Sequence, residues 1–193
     1  MTPLLVIRHG PTDWNEAGLI QGHADRPLSE TGRDQICTAR LPPEWANARC
    51  LSSPLRRAME TAMLLGLDPT PEQRLIEMAW GEWEGQSLKT LREKLGPAMI
   101  ENEARGLDFR PPGGECPRDV QTRLNPLLET LDGRTIFVTH KGVLRALYAL
   151  ATGWTMTGKA PEKLLDGRAH AFAVAPDGTP SVAELNISLE ARS

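Results

Sequence analysis

Short β-favouring runs alternate with helical stretches along most of the 193 residues, and this alternation constrains the fold more than any other feature. A strand, a helix and a further strand bury one another only by layering helices on a sheet, and that sheet is then largely parallel. Leu4 to Ile7 is the first run, and it stops abruptly at Arg8-His9-Gly10. Ser29 opens a helix that Pro42-Pro43 ends. Arg49 to Ser52 is a weaker strand candidate. Pro54 then stands at a first helical position before Leu55 to Leu65, with Gly66 as the stop. Leu75-Ile76 leads into Trp80-Gly81-Glu82-Trp83-Glu84-Gly85, more loop than element, and helical pattern returns from Ser87 to Leu95 until Gly96-Pro97. Arg110-Pro111-Pro112-Gly113-Gly114 is the clearest loop. A helix from Pro117 to about Leu131, the best strand at Thr135 to His140, and a helix from Val143 to Thr152 closed by Gly153 follow. Ala169 to Val174 and Val182 to Ile187 flank Pro176-Asp177-Gly178, which predicts an antiparallel pair.

Hydrophobic residues make up 40% of the chain and charged residues 24%, enough for one substantial core and too mixed for disorder. The formal net charge is -3, so nucleic acid is not an expected partner and any anion site must be local. Three cysteines without paired spacing argue against a disulfide framework and fit a reducing compartment. The opening apolar run is too short for a signal peptide's core or a membrane span, so a cytoplasmic location and no membrane partner are expected.

In layered α/β folds, reactive groups collect past the carboxyl ends of the strands, where helix N-termini point N–H groups outward. His9 and His140 both end strand candidates there, each followed within two residues by a glycine. A neutral imidazole is a nucleophile, so His9 can attack phosphorus without a metal ion. The charge that develops on the phosphoryl oxygens needs fixed cations, a role for Arg8, Arg56 and a protonated His140. Glu77, just before the Gly-Trp loop, is the candidate donor of a proton to the leaving oxygen. Each residue alone has a plainer structural explanation; their joint arrangement favours chemistry.

The stretch Arg8-His9-Gly10-Pro11-Thr12-Asp13-Trp14-Asn15 resembles the signature of the histidine phosphatase superfamily, which contains cofactor-dependent phosphoglycerate mutases and many small phosphatases. The resemblance continues through Gln21-Gly22, Pro27-Leu28-Ser29-Glu30-Thr31-Gly32, and Ser52-Ser53-Pro54-Leu55-Arg56-Arg57-Ala58. It extends to Leu75-Ile76-Glu77 with Gly81 to Gly85, Pro112-Gly113-Gly114-Glu115, and Val138-Thr139-His140-Lys141-Gly142-Val143-Leu144-Arg145. It implies a three-layer α/β/α sandwich with a mostly parallel central sheet, phosphoglycerate mutase-like, as a single domain over 1–193 with a helical insertion at about 85–117. It also implies that His9 is phosphorylated, that Arg8, Arg56 and His140 hold the phosphate, that Asn15, Gln21 and Gly22 line the same pocket, and that Glu77 is the proton donor. Pro11 departs from a common glutamate. Lys141 departs from a common glycine or asparagine, and would place a further cation at the pocket's edge if its side chain turns inward.

The expected activity is hydrolysis of a small phosphorylated metabolite through a phosphohistidine, with no metal and no cofactor, by a monomer or homodimer. A cofactor-dependent phosphoglycerate mutase is the main alternative; against it stands a chain with little room for the long insertion and tail that exclude water. A non-catalytic phospho-ligand-binding protein is a third reading. Gly153 to Ala160 nearly spells a P-loop but lacks the hydroxyl and the preceding strand. Cys50 to Arg56 has the spacing of a cysteine phosphatase without the glycines of its phosphate cradle.

Overall fold

The computed structural model describes residues 1–189. Six strands form one sheet in the order β3-β2-β4-β1-β5-β6. β1 (Thr2–Arg8) lies beside β4 (Thr135–Thr139) in parallel, β4 beside β2 (Arg49–Ser52), and β2 beside β3 (Pro69–Pro71), all parallel. β5 (Arg168–Val174) joins the other side of β1 antiparallel, and β6 (Pro180–Ser188) closes that edge as the expected antiparallel pair.

The central strands are apolar on both faces because both faces are covered. On β1, Leu4 and Val6 join Leu51, Phe137 and the helices α6 (Pro117–Leu128) and α7 (Lys141–Thr152) in one core. Leu5 and Ile7 point the other way and pack with Ile136, Val138 and Ala58 and Ala62 of α3 (Arg56–Leu64). Two cores on opposite faces of one sheet make the three-layer α/β/α arrangement. A third cluster of Ile20, Trp83, Leu91 and Met99 lies under α4 (Leu88–Leu95) and α5 (Pro97–Glu103), in the segment expected as the helical insertion. The remaining helices are α1 (Asp13–Glu16) and α2 (Glu30–Thr38), the latter capped by the Ser29 side chain on Gly32 N.

Several boundaries differ from expectation for physical reasons. Leu55 is still extended and α3 begins not at Pro54, as expected, but later at Arg56, where the Asp25 carboxylate, from a distant loop, accepts the Arg56 N–H at 2.7 Å and serves as the cap. Gly96 does end α4, yet Pro97 opens α5 rather than a loop, a position where a missing N–H costs nothing. α6 stops at Leu128, about a turn early. β3 was not anticipated: it has three residues, two of them proline, which only a sheet edge tolerates. Among the described residues, no helix is long and apolar enough to cross a membrane.

Candidate active site

The register of the sheet assembles the site. Arg8 pairs with Thr139 across β1 and β4, so His9 and His140 leave the sheet at the same carboxyl edge, with His9 N donating to Thr139 O at 2.9 Å. One strand further along, Ser53 leaves β2 at the same level, its N–H donating to Val138 O at 2.9 Å. The His9 and His140 ring centroids are consequently 5.0 Å apart. Past His9, the Gly10 N–H donates to Thr61 Oγ1 of α3 at 3.0 Å, which fixes the turn that presents the imidazole.

Each ring's tautomer follows from its partners. His9 Nδ1 lies 2.7 Å from Gly10 O, and a carbonyl can only accept, so Nδ1 carries the proton and Nε2 keeps its lone pair. His140 is the reverse: Nδ1 accepts from Arg57 Nε at 3.3 Å, and Nε2 donates to Ser53 Oγ at 2.7 Å. Burial pushes the pKa of His9 well below 6.5, with Arg8 and Arg57 adding to the effect against a smaller opposing pull from Gly10 O. His140 is likewise held well below 6.5, chiefly by burial, then by His9, Arg57 and Arg8. Against the expectation of a protonated His140, burial and the adjoining arginines favour the neutral form of both imidazoles, and the fixed positive charges acting on them are those of Arg8 and Arg57.

The arginine is also a correction. Arg56 is 60% exposed and lies 3.6 Å from Glu60 on the outer face of α3, away from the histidines. Arg57 is 1% exposed and occupies the place assigned to Arg56. Its Nη1 donates to Ala24 O and its Nη2 to Gly22 O, both at 2.8 Å. Burial lowers its pKa, an effect that Glu77, Asp25 and Glu84 oppose. The helix phase explains the exchange, since Arg57, Ala58, Thr61 and Ala62 form the buried face and Arg56 shares the opposite one with Glu60. That spacing of small residues was the available signal.

Around this centre opens a cavity of about 560 Å³ lined by Arg8, His9, Asn15, Gln21, Gly22 and Arg57 together with Glu77, Lys141, Gly142 and Arg145. Every expected site residue except Arg56 and His140 is therefore on its wall, and the fully buried His140 stands against His9 without lining the cavity itself. Asn15 Oδ1 is occupied as acceptor for Thr12 N and Oγ1, both at 3.1 Å, which leaves its amide NH2 for the cavity. Glu77 Oε1 accepts from Met78 N at 2.8 Å and Oε2 from Gly142 N at 3.1 Å, so the carboxylate is pinned at the start of α7. Glu84, within the Gly-Glu-Trp-Glu-Gly stretch, accepts from His23 N at 2.8 Å and Ala24 N at 3.0 Å, and so secures the turn whose carbonyls hold Arg57. Gly22 sits at φ +52 with a Cβ's space filled by that same Glu84 carboxylate.

Two polar atoms in this region have no partner among the described residues: Arg8 Nε and Gln21 Oε1, both buried. The Arg8 head pairs with Asp166, which Lys141 Nζ also approaches at 3.5 Å. Asp166 gave no sequence signal. Burial alone would raise its pKa, but Arg8 and Lys141 outweigh that and lower it. Lys141 is half-exposed at the rim. Of the tryptophans, Trp80 lines the cavity with Phe109 at 5.7 Å, Trp83 is buried behind it, and Trp14 lies under Arg26. Cys50 is no nucleophile, its thiol pushed up to about 12 by burial and Asp68. Among the described residues no three His, Cys, Asp or Glu side chains are grouped as ligands for a metal ion.

The sequence matches the histidine phosphatase superfamily (branch 1) over residues 4–180. A 2,3-bisphosphoglycerate-dependent phosphoglycerate mutase of Methylorubrum extorquens is 29% identical over 91% of each chain. Phosphoglycerate mutase-like protein 4 of Arabidopsis thaliana is 31% identical over 88% of this chain and 78% of its own. Among solved structures, a mycobacterial glucosyl-3-phosphoglycerate phosphatase superposes with a TM-score of 0.78 at 25% identity, over 97% of this chain and all of the other. A Thermus thermophilus protein superposes with a TM-score of 0.75 at 32% identity, over 96% and 99%. The chain belongs to the histidine phosphatase superfamily.

Proposed function

We propose that the chain hydrolyses phosphomonoesters of small metabolites through a phosphohistidine on His9. The observation that carries this reading is the lone pair on His9 Nε2, freed by the Nδ1 bond to Gly10 O, beside the buried Arg57 guanidinium. Nε2 bonds to phosphorus as the ester P–O bond breaks, and the leaving oxygen takes its proton from Glu77. Arg8, whose buried Nε lacks a partner among the described residues, Arg57, and the amide of Asn15 bond the phosphoryl oxygens as their charge spreads. Water then attacks the phosphohistidine, Glu77 takes back a proton, and the P–N bond breaks to release phosphate. No step calls for a metal ion.

The mutase alternative has its own support, because curated relatives carry that name. Chain length does not separate the two: the Methylorubrum mutase is matched over 91% of its length, so the expectation that a short chain lacks room for mutase chemistry has no force. The structural likeness to a phosphatase supports hydrolysis. A panel of phosphomonoesters assayed with and without EDTA tests the reading, and phosphate release insensitive to EDTA is the expected result. Rapid conversion of 3-phosphoglycerate to 2-phosphoglycerate with 2,3-bisphosphoglycerate present, and little free phosphate, would establish the mutase instead.

A further inference from the structure

Glu77 stands on backbone that has no regular structure of its own. Gln73–Leu75 make a single 3-10 turn, and Ile76 to Trp80 belong to neither helix nor strand. Such a stretch keeps one conformation only if its N–H and C=O groups are satisfied from outside. One ion pair supplies most of those bonds. Arg123 of α6 donates from Nη1 to Arg74 O and from Nη2 to Ile76 O, the latter at 2.6 Å, while its Nε donates to Glu115 Oε1 at 3.3 Å. The other oxygen of Glu115 accepts from Ala79 N at 2.9 Å, and the Glu115 N–H donates to Ala79 O at the same distance. Thr139 Oγ1, from the residue before His140, donates to Leu75 O at 2.7 Å.

The pair thus grips the chain on both sides of Glu77. The Glu77 carboxylate accepts from Met78 N and Gly142 N, so its place follows from where its own backbone is held. Arg123 and Glu115 are mostly buried, with 18% and 26% of their side chains exposed, which shields the pair from salt. Arginine suits the task because its planar fork presents several N–H groups in fixed directions, whereas an ammonium is a single point of attachment. Neither residue lines the active-site cavity. The Arg123 charge does reach the site, where it adds to the lowering of the His140 pKa after His9, Arg57 and Arg8.

We propose that Arg123 and Glu115 are positioning residues, a clamp that holds Glu77 at the reach and angle needed to pass a proton to the leaving oxygen. The proposal rests on the reading of Glu77 as the proton donor.

The test substitutes Arg123→Lys, which keeps the charge near His140 and loses the fork. With an alkyl phosphate, kcat should fall about ten-fold or more while KM stays within about two-fold, and an activated aryl phosphate should lose much less. Added to Glu77→Gln, the same substitution should cost less than about two-fold, because the proton it helps to deliver is already gone. Glu115→Ala, which frees the Ala79 N–H, should show the same pattern and stands in for a lysine variant that does not fold. A loss equal across leaving groups, or one that persists in full on Glu77→Gln, overturns the clamp. A second readout needs no turnover. The Met78 and Gly142 amides, which donate to the Glu77 carboxylate, should exchange hydrogen about ten-fold or more faster in Arg123→Lys, while Val6 and Val138 in the central strands keep their rates. Unchanged exchange at both amides overturns the clamp. If the wild-type protein hydrolyses no ester, or Glu77→Gln loses equally on all leaving groups, the phosphatase or proton-donor reading falls, and the exchange rates alone judge whether the pair holds Glu77.

Discussion

The His9 and His140 rings stand 5.0 Å apart at 59° to one another, and their neighbours fix them in opposite tautomers, Nδ1–H on His9 and Nε2–H on His140. Burial and the adjoining arginines keep both neutral well below pH 6.5. Nitrogen-15 spectra of the ligand-free protein are therefore expected to show two neutral rings of different tautomer near neutral pH, neither titrating until well under 6.5. An imidazolium signal from either ring at neutral pH would contradict the geometry.

Arg56 and Arg57 are neighbours in sequence with unlike consequences. Arg57→Ala removes the guanidinium beside both histidines and leaves the Gly22 and Ala24 carbonyls without their donor, so kcat/KM should fall by roughly 10²–10³-fold, with some loss of stability. Arg56→Ala gives up only a loose surface pair with Glu60 and should leave kcat/KM within about two-fold. Steady-state assays of the two variants decide the assignment, and a larger loss in Arg56→Ala would reverse it.

This pair also marks how far the sequence is legible. His9 and His140 could be found because each ends an apolar strand, and parallel pairing in register then brings strand ends together. The expectation fell on Arg56 and not Arg57 because composition does not tell two adjacent arginines apart, whereas helix phase places Arg57 with Ala58, Thr61 and Ala62 on the buried face. The neutrality of His140 depends on burial and on His9, Arg57, Arg8 and Arg123, which lie far from it in the chain, and no local pattern encodes that. Likewise β3 is too short to carry periodicity, and both the Asp25 cap and the Asp166 pair with Arg8 join residues far apart in the chain.

Glu77 is held by two backbone N–H groups at the edge of the cavity, a placement suited to passing a proton to the leaving oxygen and taking one from the attacking water. Glu77→Gln keeps the shape and removes that function. The variant should lose about 10²–10⁴-fold in kcat with alkyl phosphates, whose leaving groups are poor, and much less with an activated aryl phosphate. A uniform loss across leaving groups would mean that Glu77 positions substrate and does not transfer a proton.

Gly142 is tied to the same carboxylate, because a Cβ added there would collide with Glu77 Oε1 and press on Met78 Cβ at 3.2 Å. Gly142 is helical, so the substitution to alanine is not strained in backbone terms and acts through displacement of Glu77. Gly142→Ala is expected to lower kcat on alkyl phosphates while preserving the Tm within a few degrees. A variant with full activity would show that the carboxylate need not sit where it does.

Three buried histidines give the fold itself a pH dependence. His9 and His140 have pKa values well below 6.5, and His170, whose Nδ1 accepts from Asn186 N at 3.3 Å, is lowered to about 4 by burial. About a unit or more above pH 6.5 almost none of the three is protonated in either the folded or the unfolded chain, so they add little slope there. As pH falls below 6.5 the unfolded chain binds protons that the folded one refuses, and stability declines. Each fully buried ring contributes up to about 1.4 kcal/mol per pH unit until its own folded pKa is reached, with coupling between His9 and His140 making their joint share less than additive. Denaturant unfolding at about pH 7.5, 6.5 and 5.5 should give a shallow fall across the upper interval and one about three times as steep across the lower one. A stability that stays level down to pH 5.5 would mean that these rings accept protons in the folded state, and the neutral nucleophile would lose its basis.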